Sequence, residues 1–134
     1  SIIQNTINKP IYIYIKQHSE ASFLALEETI IVSTPLPDKV VIATGGSIIY
    51  SPKIMTYFNT LTTSVYLKDS LENIQKRISS FKTRGLIKNN KKTLKELFIE
   101  REVLYKNYAT ITVKINSIFN IESTVQQLIK QLLK

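Results

Sequence analysis

The stretch that most limits what this chain can fold into is Lys39-Val40-Val41-Ile42-Ala43, which runs directly into Thr44-Gly45-Gly46-Ser47. Its apolar residues are consecutive and bounded by turn formers, with no alternation of polar and apolar positions. That pattern belongs to a strand covered on both faces, as in a parallel sheet. Ser51-Pro52 follows, with the serine suited to cap a helix and the proline to its first position. Ile54, Met55 and Phe58 then share one helical face. A buried strand, a glycine turn and a helix in that order predict an α/β domain.

The flanking segments extend the pattern. Ser1 to Lys9 reads as a short helix, ended by Lys9-Pro10. Ile11-Tyr12-Ile13-Tyr14-Ile15 is ambiguous: its β-branched and aromatic alternation argues for a strand. The continuation from Ser19 to Ile31 argues for a helix, with Phe23, Leu26, Ile30 and Ile31 on one stripe and Glu27 and Glu28 beside it. Pro35 and Pro37 mark a loop. Ser64-Val65-Tyr66-Leu67 reads as a second strand, and Ser70 caps a helix carrying Leu71, Ile74 and Ile78. Residues 81–92 are polar, basic and contain a glycine, which predicts a mobile loop. Thr93 caps a helix to about Asn107, and Thr110 to Ile115 forms a third strand. Ile121 to Leu133 is amphipathic, with Ile121, Val125, Leu128, Ile129 and Leu132 on one side. This order predicts a parallel sheet with flanking helices.

Composition removes several chemistries. The chain has no cysteine and a single histidine, His18. Disulfides, thiolate metal sites and multi-histidine metal centres are therefore excluded, and no metal-ligating set is expected. No apolar run reaches the ~20 residues of a membrane span, and no signal peptide is visible. A cytoplasmic location and a monomeric state are the expectation. The 134 residues fit one domain and carry a net charge of +8. That charge would suit nucleic acid, an anionic membrane or a phosphorylated small molecule. No aromatic platform or helix-turn-helix pattern accompanies it, so neither nucleic acid nor membrane is expected as a partner.

The residues that can carry chemistry are few. Gly45 and Gly46 lie past the end of a parallel strand, where open α/β sheets bind ligands. Two glycines there serve either a tight turn or the close approach of backbone amides to a ligand. Fifteen lysines accompany only three arginines, Arg77, Arg84 and Arg101. Arginine offers a planar fork for carboxylate or phosphate that lysine cannot reproduce. Their positions allow all three to converge on one mouth of the sheet.

Four segments, taken together and in this order, resemble the shikimate kinases. Ser19-Glu20-Ala21-Ser22-Phe23-Leu24-Ala25-Leu26-Glu27 resembles the family's G-E-x-x-F-R-x-L-E, and Val41-Ile42-Ala43-Thr44-Gly45-Gly46-Ser47 its VIATGGG. Thr83-Arg84-Gly85-Leu86-Ile87 resembles its lid. Glu100-Arg101-Glu102-Val103-Leu104-Tyr105, followed by Tyr108-Ala109, resembles its R-x-x-L-Y-x-x-x-A. The resemblance implies a P-loop kinase fold, ATP and Mg²⁺ as cofactors, and phosphorylation of the 3-hydroxyl of shikimate in aromatic amino-acid biosynthesis. It implies that the Gly45 and Gly46 amides contact substrate and that Arg101 holds its carboxylate. Arg84 would be the catalytic lid arginine over ATP, with Arg77 and the loop at Asn116 beside adenine. Within one domain, residues 1–38 would be substrate-binding helices, 39–80 and 93–134 core, and 81–92 the lid.

The chain also departs from that family. Leu24 stands where a second carboxylate-binding arginine is usual, and Ser47 replaces a third glycine, with Tyr50 close behind. A related hydroxy acid or another small alcohol is therefore an alternative substrate. The G-x-x-x-x-G-K-[ST] loop and the strand before it are absent from these residues. The expectation is that catalysis needs an N-terminal segment carrying that loop, and that this chain alone is inactive. The alternative is a degenerate kinase relative acting as a binding or interaction protein, with Ile11 to Ile15 filling the slot of the missing strand.

Overall fold

A computed structural model describes residues 2–79, 92–115 and 120–134. Among these, helices accompany a two-stranded parallel sheet, a mixed α/β composition consistent with a P-loop kinase-like fold. The described residues divide into two compact units, residues 2–60 and the remainder.

The first unit is helical. Helix α1 spans Ile2–Ile7, α2 Ile11–His18 and α3 Glu20–Ser33. The strand-like alternation of Ile11 to Ile15 is thus overruled. Pro10 holds φ at −61°, and its carbonyl accepts from the amides of Ile13 and Tyr14, which starts a helix. A strand would have needed a neighbour to complete its ladder, and among the described residues this unit offers none. Helix α3 forms where its apolar stripe predicts. Phe23 and Ile30 are buried, Leu26 and Ile31 half-buried, and Tyr14 meets the Phe23 ring edge-on at 6.4 Å. Helix α4, Pro52–Leu61, begins at the expected cap: Ser51 Oγ accepts from the Ile54 amide at 3.2 Å. Ile54, Met55 and Phe58 are buried.

The predicted strand at 39–43 is not formed. Val40 to Ala43 are irregular and exposed, and Val41 is 98 % exposed. The physical reason is the same as for α2: an apolar run becomes a buried strand only when neighbouring strands accept its backbone bonds. The sequence pattern is a strand's, but the ladder is lacking.

The second unit holds the sheet. Strand β1, Val65–Lys68, pairs in parallel with β2, Ile111–Lys114, in the register Val65↔Ile111 to Lys68↔Lys114. Val113 is fully buried there. Helix α5 spans Leu71–Ser79 and α6 Leu94–Tyr108. Helix α7, Ile121–Leu132, packs against β2, but its apolar side is only partly covered. Ile121, Val125, Ile129 and Leu132 remain exposed. Among the described residues, no helix is long and apolar enough to cross a membrane.

Candidate functional site

In the first unit, the chain leaves the exposed segment 40–46 and enters a short 3-10 turn, Ile48–Tyr50. Ile48 and Ile49 bury their side chains, which pins the turn into the helical core. Both ends of the turn are tied to α3 by serines. Ser47 Oγ donates to the Glu27 carboxylate, 2.8 and 3.1 Å from its two oxygens. Ser51 Oγ donates to Glu28, which Lys53 also approaches at 3.5 Å.

The two neighbouring carboxylates differ in their electrostatics. Glu27 is only 4 % exposed, and burial pushes its carboxyl above the ordinary value while the Ser47 bond pulls the other way. The Ser51 hydrogen bond chiefly, with help from Lys53, holds Glu28 below it. Between α3 and the turn lies a cleft of about 240 Å³. Leu24, Glu27 and Glu28 line it from α3, and Ser47, Tyr50 and Ser51 from the other side. Leu24 and Ser47, where the sequence departs from the family pattern, and Tyr50 just after them therefore all line one cleft. The acid in its wall at position 27 was legible as a residue beside the apolar stripe and as the last position of the G-E-x-x-F-R-x-L-E resemblance, with no role attached. Nothing local in the sequence pairs it with a serine 20 positions away.

Gly45 and Gly46 precede this turn directly, both exposed. Neither has a positive φ, and a Cβ added to Gly45 would meet nothing nearer than Ser47 Oγ at 3.7 Å. The turn conformation therefore does not require glycine at either position. What their missing side chains provide is open access to backbone amides, the property a ligand-approach role uses.

The arginines belong to the second unit or lie outside the described residues. Arg77, in the last turn of α5, pairs with Asp69, a buried carboxylate that also accepts from the Ser70 amide and from Asn73 Nδ2. Arg101 is half-buried on α6. Its acidic neighbours are engaged by lysines: Glu100 by Lys92, and Glu102 by Lys68 at 2.8 Å and Lys106 at 3.3 Å. Those bonds hold the Glu102 carboxyl below its usual value. Arg84, with the rest of the predicted lid up to residue 91, and Asn116 lie outside the described residues.

Comparison with known proteins converges on one family. A family model described as Shikimate kinase matches residues 1–133. A shikimate kinase of Bartonella quintana is 34% identical over 116 residues, covering 85% of this chain and 54% of the relative. Another, of Thiobacillus denitrificans, is 31% identical over 96 residues, 70% of this chain and 52% of that protein. One of Paracidovorax citrulli is 31% identical over 136 residues, 98% of this chain and 74% of the relative. The chain spans about half the length of the first two of these relatives.

Proposed function

The chain belongs to the shikimate kinase family, and from that premise we propose that it supplies the substrate-binding part of an ATP-dependent phosphorylation of the 3-hydroxyl of shikimate. The observation that carries this reading is the exposed glycine pair, which no backbone requirement explains, set beside a small cleft. The amides of Gly45 and Gly46 donate to a substrate oxygen. On the family resemblance alone, Arg101 is assigned to a substrate carboxylate, which its planar fork can hold through two parallel hydrogen bonds. Leu24, in the wall of the cleft, has no donor to offer a carboxylate.

The nucleotide does not fit the residues present. The chain has three glycines and no G-x-x-x-x-G-K-[ST] segment to cradle the β and γ phosphates. Among the described residues no acidic or imidazole cluster suits a metal ion. Arg84 as lid arginine, and Arg77 and Asn116 beside adenine, rest on the family resemblance alone. The second reading is a relative that binds the hydroxy acid without phosphorylating it.

Calorimetry with shikimate tests the first reading, and a coupled ATP assay on the native full-length protein separates it from the second. Arg101→Ala should weaken shikimate binding roughly tenfold to hundredfold, the scale of a hydrogen bond to a charged group at about 1.5–3 kcal/mol, with the melting transition followed in parallel to confirm that the variant is folded. Unaltered affinity would remove Arg101 from carboxylate recognition. Binding without turnover in the native protein would decide for the binding relative.

A further inference from the structure

The turn that follows the glycine pair is fastened twice to one helix. Ser47 and Ser51 bracket Ile48–Tyr50, and their hydroxyls reach consecutive carboxylates of α3, Glu27 and Glu28. Upstream, residues 40–46 are all exposed. Gly45 and Gly46 thus stand where an uncovered segment meets a tied-down one, and Ser47 is the first side chain beyond them that the core holds. The geometry of their amides depends on where Ser47 is held.

The Ser47–Glu27 bond is mutually enforced. A carboxylate that is 4 % exposed needs a donor, and among the described residues Ser47 is the one that reaches it. The serine, in turn, has both carboxylate oxygens within hydrogen-bond distance, so it keeps an acceptor through small rotations of the carboxylate. A third glycine at position 47 would provide no such tie.

We propose that Ser47 and Glu27 form a latch that presents the Gly45–Gly46 amides, and that they act as positioning residues setting affinity for a small hydroxylated ligand. The ligand rests on the substrate-side reading above; the latch itself does not. An ordered pair of donors loses less freedom on binding than a floppy one, so fastening the turn strengthens the complex without touching the ligand.

The test follows ¹⁵N relaxation at Gly45 and Gly46 in the 134-residue chain, together with calorimetry using shikimate. In the unaltered protein, order parameters near about 0.85 are expected at both glycines; Ser47→Ala should drop them below about 0.6. The same change should weaken shikimate binding by roughly tenfold, the scale of one charge-assisted hydrogen bond. Ser47→Thr, which keeps the hydroxyl, should restore both. Because Ser47→Ala strands a buried carboxylate, the double variant Ser47→Ala/Glu27→Leu serves as a second probe. It replaces both partners with apolar groups, preserves the packing of α3 and should loosen the glycines equally. Glycines that stay rigid in both variants overturn the latch, whatever the ligand does. Loosened glycines with unchanged affinity overturn the positioning role. Loosened glycines in a protein that never binds shikimate uphold the latch and reject the ligand assignment.

Discussion

Ser19 occupies φ 146° and ψ 166°, a region open mainly to glycine, while its hydroxyl caps α3 by accepting from the Ser22 amide at 3.1 Å. The two effects oppose each other. Such a conformation costs on the order of 1–3 kcal/mol, whereas exchanging a serine cap for glycine costs only about a few tenths. Strain wins, so Ser19→Gly should raise stability by about 1 kcal/mol or more in urea unfolding. The segment this part of the chain resembles has glycine at that position. Glu27 is the other residue with a clear sign. Burial raises its carboxyl above 4.5, so the fold favours the protonated form. Its stabilising contribution is complete below the ordinary carboxylate range and is lost as pH climbs through the raised value. Glu27→Gln should therefore melt higher than the unaltered protein at pH 7, and the gap should close as the pH falls below 4.5, read from melting curves across pH.

At the scale of elements, the helices that carry their own start signals formed where those signals stand. Helix α6 has a reciprocal cap: the Thr93 hydroxyl accepts from the Glu96 amide, and the Glu96 carboxylate accepts from the Thr93 amide at 2.7 Å. Thr93→Ala should cost about 1 kcal/mol in denaturant unfolding. Ser51-Pro52 before α4 and Asn120 before α7 are comparably local, and the latter's side chain accepts from Ser123. Strands are different, because a strand's stability resides in its neighbours. Ser64 to Leu67 and Thr110 to Ile115 were legible and found each other. Lys39 to Ala43 was equally legible yet did not form, and Ile11 to Ile15 became α2. The candidate site divides the same way. Its glycine pair, the departures at Leu24 and Ser47, and Tyr50 close behind stand in the sequence. The Ser47–Glu27 bond does not, because it joins two elements that only folding brings together.

For the molecule as a whole, apolar surface is distributed unusually. Val41 and the α7 side chains Ile121 and Leu132 are exposed, while the sheet contains only two strands among the described residues. The chain covers 54% of one relative and 52% of another. The run from Val40 to Ala43 has a practical consequence in concentrated solution. It is short, uncharged, β-prone, free of proline and presented to solvent, which is the profile of a segment that recruits identical segments from other molecules. Val41→Lys should leave unfolding stability within about 0.5 kcal/mol, because the side chain touches little. It should also lengthen the lag before light scattering rises in a stirred sample; an unchanged lag would place the nucleating surface elsewhere. The run that reads as the centre of the most orderly strand in the sequence is thus expected to limit how long the isolated chain stays dispersed.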